Sequence, residues 1–247
     1  MPDEVPAVAK AAAHADPRPV ALVTGARKGI GRHLAECLLA DGYAVVGCGR
    51  TTDGWSAEGF EYRQADVADE PQVLALVRHI AQRYGRLDAL INNAGLATMN
   101  HALLTPVSTV EKLLRANVTG TFLVSREAAK LMRKRKVGRI VNLSSAVVPM
   151  RLTGEAVYLA SKSAVETLSQ VMAREFADFG ITVNVVGPGP TATDMIRGVP
   201  EQKIAELVSR FAIKRLTTLD DIANVVRFFL RAESSAVTGQ VVYLNGG

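Results

Sequence analysis

The feature that most constrains this chain is an alternation running almost its whole length. Short apolar runs of five to seven residues are separated by stretches with helical periodicity. Residues 19–24 (P-V-A-L-V-T) lead into a glycine-rich turn, and residues 30–40 then carry apolar side chains at helical spacing, with Gly42 as a stop. Residues 44–48 form a second apolar run, so a βαβ unit is complete within about thirty residues and the two strands must lie parallel. The pattern continues with strands at 60–64, 87–92, 138–144, 181–186 and 240–244. Helices are expected at 70–84, at 109–134, around Tyr158 to about residue 179, and near 201–211 and 220–231. Strands that are apolar on both faces, with helices between them, predict one doubly wound α/β domain over residues 19–247. It should contain about seven parallel strands with helices on both faces. Residues 1–18, rich in Ala and Pro and without an amphipathic period, read as a flexible extension.

Composition narrows the setting. Of 247 residues 48% are hydrophobic, ample for one core, yet no run approaches the roughly 18 apolar residues of a membrane span. The N-terminus lacks a basic start followed by an apolar stretch, which argues against a signal peptide. Cys37 and Cys48 are too few for a disulfide framework and stand among apolar residues, as expected in a reducing cytoplasm. The formal charge of +5 comes from bases dispersed among acids. Only residues 133–136 (R-K-R-K) are dense, and that cluster reads either as the cation-rich end of a helix or as a contact for an acidic partner. It is short and has no interleaved aromatics, so nucleic-acid binding is not expected.

In such a fold ligands bind beyond the carboxyl ends of the strands, where the strand order reverses. After the first strand comes Thr24-Gly25-Ala26-Arg27-Lys28-Gly29-Ile30-Gly31, a turn in which glycines let the backbone approach a pyrophosphate and the following helix aims free N–H groups at it. This is a dinucleotide site of Rossmann type. The second strand ends in Gly49 and Arg50 rather than an acid, and Arg27 and Lys28 stand in the turn opposite, a set that favours the 2′-phosphate of NADP(H) over NAD(H). Asp66 and Val67, after the third strand, are placed to contact the adenine. Asn92, Asn93, Ala94 and Gly95, after the fourth, are placed to reach the cofactor ribose.

The chemistry points to the stretch from Ser145 to Lys162. Tyr158 and Lys162 are four residues apart, so on a helix they share a face, and an ammonium beside the phenol is expected to lower its pKa towards working pH. Ser145 adds a hydroxyl that can bind the same substrate oxygen. No histidine stands near to activate it as a nucleophile. Together these groups suit proton transfer at a C–O centre, with a second agent carrying the hydride. Glu155, three residues before Tyr158, is either a pocket residue or a solvated rim residue.

Taken together, the T-G-A-R-K-G-I-G turn, D-V at 66, N-N-A-G at 92, Asn117, S-S at 144, Y-L-A-S-K at 158, P-G at 188 and the closing T-G-Q-V-V-Y-L-N-G-G resemble a short-chain dehydrogenase/reductase of the single-domain type. The resemblance covers about residue 19 to the C-terminus and is nearest to bacterial 3-oxoacyl-carrier-protein reductases. It implies Tyr158 as general acid, Ser145 as holder of the substrate oxygen, and Lys162 as tuner of Tyr158 and ligand of the nicotinamide ribose. It also implies that the Asn117 carbonyl holds a water in a proton relay, and that Pro188, Gly189, Thr191 and Thr193 fix the nicotinamide face. The implied reaction is NADPH-dependent reduction of a ketone or acyl thioester. An acyl carrier protein is a possible deliverer of the substrate, and a homotetramer is the family assembly. In those reductases a basic residue commonly precedes the glycine before the strand at 181, whereas this chain has Phe179. Two other roles fit the same residues: reduction of a specialised biosynthetic intermediate, and a non-catalytic NADPH-binding regulator.

Overall fold

The computed structural model describes residues 16–192 and 200–246. The chain forms β1 (Val20–Thr24), α1 (Gly29–Ala40), β2 (Ala44–Gly49), β3 (Phe60–Gln64), α2 (Glu70–Tyr84) and β4 (Ala89–Asn92). It continues with α3 (Val107–Leu114), α4 (Gly120–Met132), β5 (Gly138–Leu143), α5 (Ala156–Glu175), β6 (Ile181–Gly187), α6 (Glu201–Ser209), α7 (Leu219–Leu230) and β7 (Val241–Tyr243). The seven strands make one sheet in the order β3-β2-β1-β4-β5-β6-β7, and every pair is parallel. The order reverses between β1 and β4. A crevice must therefore open there, above the carboxyl ends of those strands.

Strand alternation feeds two cores. Val20 and Leu22 of β1 pack on one face with Val73, Val77 and Ile80 of α2, Val124 of α4 and Met172 of α5. Ala21 and Val23 point the other way, onto Leu34 and Leu38 of α1 and Ile222, Val226 and Phe229 of α7. All five residues of β1 are buried, which is why its sequence is an unbroken apolar run rather than an alternating one.

Local signals set the element ends. Asp69 caps α2 by accepting from the Gln72 N–H at 3.0 Å, and Gly85 ends the helix in the left-handed region at φ 69°. Thr218 and Asp221 form a reciprocal capping box at the start of α7. The basic cluster at 133–136 closes α4 in a short 3₁₀ turn, as the helix-end reading requires. Of the expected N-terminal extension only residues 16–18 are described, and there Arg18 is ion-paired with Asp16 at 2.7 Å.

One helix differs from expectation. The stretch expected as a single helix over 109–134 is interrupted by a π-helical turn, Arg115–Thr119, with Asn117 inside it. Such turns insert one residue into the helical ladder and recur at functional sites.

Candidate active site

Two clefts meet above the sheet switch point. The first, about 840 Å³, is lined by the turn after β1 (Gly25, Arg27, Lys28 and Gly29) and by Arg50, Asp66 and Val67, with Asn93, Ala94 and Gly95 on its far wall. The second, about 500 Å³, is lined by Ser145, Tyr158, Lys162, Pro188, Gly189 and Thr191. Ile30, Asn93, Gly95 and Leu96 line both, so the clefts are continuous.

The first cleft fits a dinucleotide. No side chain caps the N-terminus of α1, so its first N–H groups are left to face a ligand. Gly25 takes φ 67°, and a Cβ on Gly31 would collide with the Gly25 carbonyl, so helix and turn approach as only glycine allows. Asn93 ties the turn to β4: its Nδ2 donates to the Thr24 and Gly25 carbonyls at 2.9 and 3.2 Å. Arg27 pairs with Asp53 at 3.0 Å, and the Asp53 carboxyl lies at 64% exposure. Exposed pairs of this kind are weak and screened by solvent, so a phosphate dianion can take the guanidinium over. Arg50, Lys28, Lys112 and Arg115 line the same cleft, which makes it strongly cationic. Lys112 and Arg115 went unnoticed in the sequence; they stand one turn apart, just ahead of Asn117, where only the tertiary fold turns them to the cleft.

Asn92 departs from the expectation of a ribose contact. Its Nδ2 turns inward and donates to Ser125 Oγ and Asn142 Oδ1, both at 2.8 Å, and Asn142 in turn donates to Ser169 Oγ at 2.8 Å. This buried ladder links β4 and β5 to α4 and α5. Strand register places Asn92 on the helix-covered face, whereas Asn93 lies on the cleft. Asp66 holds its own loop, accepting from the Ala68 N–H at 2.9 Å, while Thr193 lies outside the described residues. Thr191 is buried and its hydroxyl donates to the Gly189 carbonyl at 2.9 Å.

In the second cleft the first turns of α5 present Tyr158 and Lys162 on one face, and the loop after β5 brings in Ser145. The Ser145 hydroxyl comes near enough to that of Tyr158 to favour the phenolate. Ser144 lines the same cleft, but its hydroxyl is committed to Glu166, so Ser145 is the serine left to serve a substrate oxygen. Asn117, 1% exposed, accepts from the Leu96 N–H at 2.7 Å and donates to the Leu96 carbonyl and Ser161 Oγ, each at 2.9 Å. It thus clamps the loop after β4 to α5. Its own carbonyl accepts from Thr121 Oγ1 at 2.7 Å. Gly95 lies against this clamp: a Cβ there would fall 3.0 Å from Asn117 Oδ1 and 3.5 Å from Lys162 Nζ.

The protonation equilibria differ from the sequence expectation. Burial pushes the Tyr158 phenol up to about 12, the Ser145 hydroxyl works in the opposite direction, and the Glu155 charge pushes it up further. The expected depression by Lys162 is not found. Lys162 aims its Nζ at the Leu143 carbonyl, 2.8 Å away, and burial lowers its own ammonium to about 8, against an upward pull from Glu166. Glu155 lines the cleft, and burial raises its carboxyl as well.

Comparison with known proteins agrees with this geometry. Residues 25–247 match the family model described as Enoyl-(Acyl carrier protein) reductase. The 3-oxoacyl-[acyl-carrier-protein] reductase of Escherichia coli (strain K12) is 34% identical over 235 residues, covering 92% of this chain and 96% of the relative. Among solved structures, ElxO with NADP bound superimposes with a TM-score of 0.87 at 30% identity, over 93% of this chain and 98% of that one. The actinorhodin polyketide ketoreductase with NADPH does so with a TM-score of 0.85 at 31% identity, over 93% and 97%. Sheet order, glycine turn, the Ser145–Tyr158–Lys162 wall and these likenesses agree: the chain belongs to the short-chain dehydrogenase/reductase family.

Proposed function

We propose that this protein is an NADPH-dependent reductase that converts a ketone into a secondary alcohol. The observation that carries the reading is the continuity of the two clefts. A dinucleotide seated on the Gly25–Gly31 turn extends towards Gly95 and Pro188, beside the wall that bears Ser145 and Tyr158. NADPH, when bound, supplies the hydride. The chain's own residues supply the rest. Tyr158, held near 12, keeps its proton at neutral pH and is loaded as an acid for the substrate oxygen. Ser145 holds that oxygen by hydrogen bonding. Lys162, with its midpoint near 8, is still largely cationic at pH 7 and stabilises the phenolate that develops as the proton leaves.

Arg50, Arg27 and Lys28 support selection of the 2′-phosphate, and the absence of an acid at the end of β2 agrees. Pro188, Gly189, Thr191 and Thr193 are proposed to fix the nicotinamide face, and the Asn117 carbonyl to hold the relay water. Exposed Leu114, Phe122 and Val171 on α3, α4 and α5 support a homotetramer built on these helices, which light scattering would test. The free thiols of Cys37 and Cys48 suit the reducing cytoplasm, and no helix of the described residues is long and apolar enough to cross a membrane.

For the substrate, the similar 3-oxoacyl-[acyl-carrier-protein] reductases favour an acyl thioester. Phe179 favours a different delivery or a dedicated biosynthetic ketone. It is exposed at the turn before β6, where a basic carrier contact is expected, although the basic segment at 133–136 reaches the same turn. The test is loss of NADPH absorbance with an acetoacetyl thioester beside bulky and cyclic ketones, with Tyr158→Phe as control. Thioester turnover that vanishes in the variant supports fatty-acid or polyketide reduction. Turnover of bulky ketones alone supports the dedicated pathway. Tight NADPH binding without any turnover would overturn the enzyme reading in favour of a regulator.

A further inference from the structure

We propose that Glu166 is a positioning residue for the reaction: it brackets the Ser145 loop and the last strand to α5 and is the counter-charge that keeps Lys162 protonated. The inference rests on the reductase reading above. Glu166 follows Lys162 by one helical turn, so the two side chains share a face of α5. Its two carboxylate oxygens are each taken by a different element. Oε1 accepts from the hydroxyl of Ser144, the residue immediately before Ser145. Oε2 accepts from the Tyr243 hydroxyl of β7 at 2.8 Å. The Ser144 N–H is itself bonded to the Val186 carbonyl of β6 at 2.8 Å, and the Ala146 N–H to the Pro188 carbonyl at 2.8 Å. The loop that carries Ser145 is thereby held from α5, from β6 and, through the carboxylate, from β7.

The second half of the role is electrostatic. Lys162 is 7% exposed and makes no ion pair among the described residues. Its close partner is a neutral carbonyl, Leu143. The other groups facing the pair are Tyr158 and Glu155 on the α5 side, Tyr243 from β7, and the neutral Asn117 from the π turn. Of these, Tyr158 and Tyr243 are held neutral by burial, and Glu155 acts on Tyr158. Glu166 is the carboxylate whose field reaches Lys162. The bracket by itself needs only hydrogen-bond acceptors, which neutral groups could supply; a carboxylate adds charge where a buried cation needs it.

The test separates charge from bracket. Glu166→Gln keeps the size and one acceptor but removes the charge. Tyr243→Phe removes one bond but keeps the charge, and Glu166→Asp keeps the charge should the amide variant fail to fold. The Lys162 ammonium is followed by NMR in lysine-labelled protein without substrate, assigned by its loss in Lys162→Met. Its midpoint in Glu166→Gln should fall below the wild-type value by about half a pH unit or more. The alkaline limb of kcat/KM against pH should move with it. In Tyr243→Phe and Glu166→Asp the midpoint should stay in place, whatever happens to stability. An unmoved midpoint in Glu166→Gln, or an equal shift in Tyr243→Phe, overturns the proposal. Because the titration needs no turnover, its failure is distinct from failure of the reductase reading.

Discussion

Above pH 8 the stability and the activity of the wild-type protein should respond to pH in opposite senses, and replacing Lys162 by Met should abolish the stability response. Burial takes the Lys162 ammonium from 10.5 down to about 8. At about 1.4 kcal/mol per pH unit, the folded state loses about 3 kcal/mol at pH 7 by holding this cation out of water. Between pH 8 and 10.5 the unfolded chain retains a proton that the folded chain has released, so stability rises with pH across that window and the cost has vanished above it. Lys162→Met has no such titration. The difference in unfolding free energy, wild type minus variant, should therefore climb by about 3 kcal/mol from pH 7 to 10.5, most of it between 8 and 10. The absolute difference at pH 7 is a poorer guide, because the variant also orphans the buried Leu143 carbonyl, at about 1–3 kcal/mol. Urea unfolding of both proteins at several pH values gives the slope directly. A difference that stays flat to within about 0.5 kcal/mol would refute the reasoning, since it would mean an ordinary, solvated lysine. Wild-type activity should meanwhile fall above pH 8 as the cation is lost.

Three further outcomes follow from the same geometry. Tyr158→Phe should lower kcat/KM by about 10²–10⁴-fold while NADPH affinity, read by fluorescence titration, is retained; a loss below tenfold would remove Tyr158 from the role of acid. Glu155→Gln removes a charge that raises the Tyr158 phenol, so the phenolate absorbance midpoint, assigned by its loss in Tyr158→Phe, should drop below about 12, and an unmoved midpoint would place Glu155 too far away to matter. Arg50→Glu should cut the preference for NADPH over NADH by about 10–100-fold, the equivalent of one charge-assisted hydrogen bond, and an unchanged ratio of kcat/KM values would give the 2′-phosphate to other residues.

How legible each part was in the sequence depends on whether its cause is local. Strand β3 and helix α2 have the bounds expected of them because an Asp cap, a turn glycine and the apolar period lie within the segments themselves. The parallel sheet was legible because apolar strands joined by helices allow little else. The π turn at Asn117 was not, for its cause is distant: the side chain reaches back to Leu96 and forward to Ser161, and both partners arrive only when α3, α4 and α5 pack. Asn92 and Asn93 read alike as polar strand-end residues. Register alone sends one to a buried ladder and the other to the cleft. Glu166 carries no signal in the sequence, since the serine and tyrosine that occupy it come from elements 22 and 77 residues away.

The misreading of Tyr158 shows why proximity in sequence is a weak guide to charge coupling. Four residues on a helix bring two side chains to one face, but the ammonium goes where a carbonyl accepts it, and here that is Leu143 at the end of β5. With the lysine so held, burial dominates both groups and drives each towards its neutral form: the phenol keeps its proton more firmly and the ammonium yields its own more readily. For reduction at neutral pH this serves the chemistry. The acid starts protonated, and the cation that must receive its developing charge is still present below pH 8. What the arrangement cannot tolerate is a further fall in the lysine midpoint, because a neutral amine beside a departing proton stabilises nothing. A carboxylate one turn further along α5 therefore has a use that no hydrogen-bond count reveals. Helix, loop and last strand converge on Glu166 because the lysine in front of it has to remain charged in a buried site.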